Sequence, residues 1–239
     1  MPRPRIPDRR ERILDAARDL ALEEGWPATT VAHIAAAAGI GKGAVYLEFA
    51  DKTAILDAEL RRAMRRLTAA VHRRVTTTTG LIDLTAVYRF GLEELLDEPL
   101  MRAFQLGDES VLGDHVRAVG DDRYQQRMGW LGDYIARLQD AGLIAPEIDR
   151  ATLGHLLGVF TLGLLSAPTT LGPIPEQTLR DTVALFAELV GRGLDPGRPV
   201  DPEAARDAQL ALLENLETQL DHLDDPDRPQ EPEDSEEQE

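Results

Sequence analysis

The chain has 24 arginines but only two lysines, Lys42 and Lys52, and both lie in one stretch, TTVAHIAAAAGIGKGAVYLEFADKTAIL over residues 29–56. Each lysine stands at the start of a predicted helix, where a flexible cation can reach a backbone phosphate. Around Lys42 are Gly41, Gly43 and Ala44, small enough to let a helix backbone approach another surface, and Tyr46 and Leu47 follow on the same outer side. A cation, a hydroxyl donor and small early residues are what a helix entering a major groove N-terminus first requires. Any small helical hairpin carries a glycine in its bend; the placement of both lysines here favours DNA over that plainer reading. Glu48 is the exception, an acid near a polyanion, which either points away or accepts from a cytosine amine.

The elements that must hold these residues follow from capping and period. Thr30 is a suitable N-cap for a helix whose apolar positions are Val31, Ile34, Ala35 and Ala38. Gly39 ends it, because a left-handed residue costs glycine nothing sterically. Gly41 opens a second helix running to about Phe49, and Asp51 caps a long one from Lys52 to about Val75. Two short helices around a glycine turn form a helix-turn-helix. Upstream, Asp8 with Glu11 has capping-box spacing, Ile13, Ala16, Ala17, Leu20 and Ala21 make one apolar stripe, Gly25 ends the helix, and Trp26 is a core candidate.

This segment resembles the tetracycline-repressor (TetR) family of bacterial transcription regulators. The resemblance rests on Thr30, Ile34, Ala35, Ala38, Gly39, Ile40, Lys42, Gly43, Val45, Tyr46, Phe49, Lys52 and Leu56, within about residues 9–69. It implies that the helix from Gly41 reads the groove, that Tyr46 and Lys52 touch phosphates, and that Thr30 both caps and contacts the DNA backbone. Three positions depart from the family pattern: Gly41 where serine is common, Ala44 where threonine is common, and Glu48 where histidine or tyrosine is common.

The net charge of −17 at first argues against DNA. Its distribution does not. Residues 1–75 hold 14 basic and 10 acidic side chains, residues 76–194 hold 9 and 17, and residues 195–239 hold 3 and 16. An electrostatic footprint is local, and the basic excess sits where DNA would lie. Cysteine is absent, and the first ten residues, MPRPRIPDRR, lack the apolar core of a signal peptide. Residues 151–175 carry no charge, but Pro168, Pro173 and Pro175 are expected to break the stretch before it could span a bilayer. A cytoplasmic protein without a membrane segment is expected.

The remaining chain reads as all-α. Helices are expected at about 81–97, from Pro99, at 115–141, 150–167 and 176–192, with a loop at 107–114. The helices at 150–167 and 176–192 are apolar, with a small-residue strip of Gly154, Gly158 and Thr161, and resemble the family's four-helix dimer interface. Large apolar and aromatic residues cluster in the middle of the chain. Tyr88, Met101, Phe104, Gln105, Met128, Trp130, Tyr134 and Phe160 are candidate ligand-binding residues, with Gln105 and Tyr134 as polar groups. They also suit a plain core. No basic cluster interrupts them, so a largely apolar, neutral or cationic small molecule is expected. After residue 194 comes a proline- and acid-rich extension, with one further helix whose stripe would be Leu213, Leu216, Leu220 and Leu223, packed on its own subunit or on a partner.

The expected organisation is therefore a DNA-binding domain over 9–69, an effector-binding and dimerisation domain over 70–194, and an extension over 195–239. The expected function is a homodimeric repressor of a palindromic operator. Two other classes stand beside it, a helical protein-interaction adaptor and an all-α enzyme without metal. The five histidines are scattered, and neither a phosphate loop nor a nucleophile elbow is present, so no cofactor and no catalysis are expected.

Overall fold

The computed structural model describes residues 8–80, 82–113, 131–197 and 199–224. Among them every regular element is a helix: α1 (Arg9–Glu24), α2 (Val31–Ala37), α3 (Lys42–Val45), α4 (Lys52–Thr77), α5 (Leu84–Leu96), α6 (Pro99–Leu106), α7 (Glu109–Leu112), α8 (described over 131–140), α9 (Arg150–Leu171), α10 (Glu176–Leu194) and α11 (Pro202–Asp224). Acidic caps start several of them. Asp51 accepts from Ala54 N at 2.8 Å, Asp83 from Ala86 N at 2.7 Å and Asp149 from Thr152 N at 2.8 Å, each satisfying a first-turn donor that the helix itself leaves free.

Helix α4 is the spine. Its 26 residues span roughly 39 Å, and its apolar positions feed three cores in succession. Ile55, Leu56 and Leu60 pack with α1, α2 and α3 around Ile13, Ile34 and Val45. Ala63 meets Leu92, Met101, Leu164 and Val183 from α5, α6, α9 and α10. Val71 and Val75 meet Phe90, Tyr134, Leu157 and Leu212. The first core also takes Leu100 and Ala103 of α6 and Leu112 of α7, so packing crosses the sequence-based limit at residue 69.

A charged seam follows the same joint. Glu59 of α4 is 0% exposed. Its carboxylate lies 2.7 Å from Arg62 and 3.4 Å from Arg66. Arg62 reaches Glu11 at 2.6 Å and Asp15 at 2.8 Å on α1, and Arg66 reaches Glu98 before α6 at 3.0 Å. Arg62 and Arg66 thus hold α1 and the start of α6 to α4.

Several sequence expectations are corrected by tertiary contacts. Asp8 has a left-handed backbone and caps nothing with its side chain, and the Glu11 carboxylate, the other half of the expected box, pairs with Arg62. Regular helix in α3 ends at Val45, and single turns, Glu48 N to Val45 O at 2.9 Å and Phe49 N to Val45 O at 3.0 Å, carry the chain on to Phe49. The expected loop at 107–114 contains α7, capped by Asp108 and fastened where Trp26 N donates to Val111 O at 2.7 Å. Of the helix expected over 115–141, the part before residue 131 lies outside the described residues.

Helix α9 also continues through Pro168 to Leu171. Proline carries no N–H for the carbonyl four residues back, yet the helical backbone runs on past Pro168 for three residues. The helix is thus 22 residues long, with mean hydropathy 1.4 over its most apolar window, long and apolar enough by length and composition to cross a membrane. The expectation that proline cuts it short does not hold. The extension packs on its own subunit: α11 lies along α4, burying Ala208, Leu212 and Leu216 in the second core, with Ala205 also buried and His72 Nε2 3.3 Å from Glu217 Oε1. Of the expected stripe, Leu216 is buried and Leu213 packs at the edge. Alanines let the two helices come close and so select a face that leucine spacing alone does not indicate.

Candidate nucleic-acid interface

Helix α2 is held by its ends. Thr30 Oγ1 accepts from His33 N at 3.1 Å, and Gly39, at φ 64°, turns the chain out of the helix. Arg12 passes behind that turn, its guanidinium donating to Ala38 O. The positive φ is what favours glycine there; a Cβ would also stand 2.9 Å from the Arg12 guanidinium, which would have to shift. Ile34, Ala35, Val45 and Phe49 are buried against α1 and α4. Anchored this way, α3 turns Gly41, Lys42, Gly43, Tyr46 and Leu47 to solvent, Leu47 at 76% exposure, with Ala44 half-buried beside them. Lys42 Nζ stands 5.9 Å from the Tyr46 ring.

Gly41 and Gly43 differ from Gly39 in kind. Neither has positive φ, and a Cβ at either would meet nothing within 4 Å. Among the described residues nothing in the fold needs glycine at these positions. Gly43→Ala should therefore separate stability from binding. Removing a glycine from a helix should stabilise it by up to about 1 kcal/mol, while the added methyl should weaken duplex DNA binding by roughly tenfold or more through lost close approach. Thermal unfolding and fluorescence anisotropy measure the two effects, and unchanged DNA affinity would mean that nothing docks closely on this turn.

Lys52 is used differently from Lys42. Its Nζ donates to Trp26 O at 2.5 Å and lies 4.7 Å from the Trp26 ring centroid, and burial lowers its pKa. It thus ties the start of α4 to the end of α1. The sequence reading missed three arginines of α1. Besides Arg12, Arg9 donates to the Glu48 carboxylate, Nε to Oε1 at 2.8 Å, and Arg10 lies 4.5 Å from the Phe49 ring centroid. The only local hint of the first pair is opposite charge, 39 residues apart in sequence.

The candidate ligand-binding residues divide among the cores. Tyr88 donates to Leu157 O at 2.6 Å and meets Thr161 Oγ1 at 2.7 Å, and burial pushes its phenol up to about 12, with the Thr161 bond partly offsetting this. Phe160 stacks on Phe186 with centroids 3.5 Å apart, and Tyr88 lies 5.9 Å from Phe186. Phe186 was not among the candidates. Met101 is buried in the third core, Phe104 is half-buried between the first and third, and Gln105 is half-exposed. Tyr134 is buried in the second core, its hydroxyl 3.5 Å from Ile82 O and its pKa raised by burial. Met128 and Trp130 lie outside the described residues. Two open depressions, about 410 Å³ between α1 and α2 and about 420 Å³ between α5 and α10, are lined by none of these side chains. Among the described residues no group of three acidic or histidine side chains could hold a metal.

Comparison with known proteins agrees with this geometry. Residues 13–58 match the family model of bacterial regulatory proteins, tetR family. The HTH-type transcriptional regulator AlkX of Mycobacterium tuberculosis is 35% identical over 71 residues, 30% of this chain and 34% of that protein. The HTH-type transcriptional repressor KstR of Mycolicibacterium smegmatis is 30% identical over 133 residues, 51% of this chain and 63% of that protein. The chain thus spans between a third and two thirds of the curated relatives it matches. The solved fatty acid degradation regulator FadR of Bacillus halodurans superposes with a TM-score of 0.62 at 17% identity, covering 80% of this chain and 98% of that one. That likeness extends the shared fold beyond the helix-turn-helix.

Proposed function

We propose, from the match of residues 13–58 to the family model of bacterial regulatory proteins, tetR family, and the likeness to the repressor KstR, that this chain is a cytoplasmic one-component transcription repressor of that family rather than an enzyme. Residues 9–69 bind a palindromic operator. Residues 70–194 bind a small effector and dimerise, and the extension over 195–239 braces α4 through α11. The observation that carries this reading is the outward face of α3, where Gly41, Lys42, Gly43, Tyr46 and Leu47 are exposed although nothing in the chain's own packing demands the two glycines. Thr30, Ala44 and Lys52 complete the proposed DNA-binding set. Lys52 has its ammonium turned to Trp26, so its role is to orient α4 more than to neutralise phosphate.

Dimerisation has support in α9 and α10, which expose Leu156, Val159, Leu162, Leu185 and Leu189. A four-helix bundle of two helices from each subunit would cover them. The effector would enter near Tyr88, Phe160 and Phe186, bordered by Met101 and Phe104. It would be largely apolar, because these groups offer one hydroxyl and otherwise rings and methylenes. Helix α4, which passes the same cores, would carry the change to α3.

Selection from a pool of random duplexes tests the regulator reading. The chain should enrich imperfect palindromes whose half-sites lie roughly 34–36 Å apart, or a multiple of that spacing. Enrichment of a single asymmetric half-site would count against a dimer, and no enrichment against the whole reading. With operator in hand, calorimetry tests induction. A hundredfold loss of DNA affinity corresponds to about 2.7 kcal/mol of differential binding, and operator must weaken the effector by the same factor.

A further inference from the structure

The pair Arg9–Glu48 sits at the edge of the proposed DNA face and serves no core. Both side chains remain 23% exposed. Arg9 approaches Glu48 through Nε and Nη2, both on the same carboxylate oxygen, Oε1. Arg10 adds a hold on the peptide beneath, its Nη1 3.5 Å from Glu48 O and its guanidinium over the Phe49 ring. Among the described residues, Oε2 accepts no hydrogen bond. It belongs to the residue after exposed Tyr46 and Leu47, one helical turn beyond half-buried Ala44.

We propose that Glu48, steadied and neutralised by Arg9, is a specificity-determining residue that accepts through Oε2 from the N4 amine of a cytosine in each operator half-site. The inference rests on the regulator reading above. A carboxylate presented to DNA alone would repel phosphates along the whole face. With Arg9 beside it the pair carries no net charge, so the remaining lone pairs can approach a base edge. In the major groove an acceptor-only group discriminates sharply. Guanine offers N7 and O6, both acceptors, thymine offers O4 and a methyl, and adenine sets its amine beside the N7 acceptor; only cytosine presents a donor without a neighbouring acceptor. Arg9 is a positioning residue here: it fixes which oxygen is free and removes the charge penalty.

The full chain and its variants, tested on the operator enriched by the wild type and on all single-base substitutions of it, decide the matter. For the wild type, one symmetry-related C·G pair per half-site should cost about tenfold when changed. Glu48→Ala should flatten preference at that pair alone. Glu48→Gln, close in shape, should move preference there towards adenine, whose N6 and N7 edge a carboxamide matches. Arg9→Ala should weaken all sequences several-fold, because the uncompensated carboxylate then faces phosphate. Tighter binding of every sequence by Glu48→Ala and Glu48→Gln, with base preference unchanged, would overturn the inference and leave Glu48 as a repelling charge. Unchanged affinity in Arg9→Ala would likewise remove the pairing role. A wild type that enriches no operator would instead overturn the regulator reading.

Discussion

Replacing Arg62 with methionine should destabilise the fold by about 3–5 kcal/mol, more than replacing its buried partner Glu59 with leucine. The asymmetry follows from who is left behind. Without Arg62, the fully buried Glu59 carboxylate keeps Arg66 as its ion-pair partner among the described residues, at 3.4 Å and on a more exposed side chain. Without Glu59, Arg62 still holds Glu11 at 2.6 Å and Asp15 at 2.8 Å, both near water. The double variant should recover most of the loss, since apolar groups of similar volume replace a buried pair at little cost. Denaturant unfolding of the four proteins gives the cycle. A double variant as unstable as the sum of the singles would show that the two residues act independently.

The same pair gives a pH dependence of known sign. Burial pushes the Glu59 carboxyl above its usual range, outweighing the guanidiniums of Arg62 and Arg66. For Arg62, burial opposes the charge, but the bonds to Glu11, Glu59 and Asp15 prevail and hold it charged. Folded Glu59 therefore keeps its proton to higher pH than the unfolded chain does. In that window the folded state binds more protons, so stability falls as pH rises from the ordinary glutamate value of about 4.3 towards the raised one. Glu59→Gln should flatten that portion of the profile relative to wild type.

What could be read from the sequence divides by range. The helix-turn-helix was legible because its signals are local: Thr30 and Asp51 cap within three residues, and Gly39 needs only its own φ. Glu59 was not legible. On an arginine-rich helix it looked like one more exposed charge, and its burial depends on α1 and on the chain before α6. The helix α7 under Trp26 and the alanine face of α11 share that cause, each settled by a partner distant in sequence. The outer side of α3 was legible residue by residue, but the distinction between Lys42, turned outward, and Lys52, turned to Trp26, needed three dimensions. The ligand-binding candidates were the least legible, because an aromatic that fills a core and one that lines a pocket have the same composition.

Introducing arginine at Val159 and Leu189 together should lower operator affinity by roughly 10²–10⁴-fold while leaving the protomer folded. Val159 and Leu189 are 64% and 58% exposed, so charge at either costs the isolated subunit little. Buried Val183 on the same helix α10 is the contrast, since arginine there would disrupt the third core and unfold the chain. In a two-fold bundle of α9 and α10 the same substitutions would place four guanidiniums among apolar side chains at the seam. The dimer would dissociate, and each half-site would then be bound without the other's effective concentration, which is the source of the factor. Sedimentation should show monomer, and affinity for an isolated half-site should be unchanged. A double variant that remains dimeric would move the interface elsewhere. The apolar length of α9 makes a lipid surface the competing occupant of this face, and the same pair of proteins separates the two: a wild type that floats with phospholipid vesicles, and a variant that does not, would assign the face to membrane instead of a second subunit.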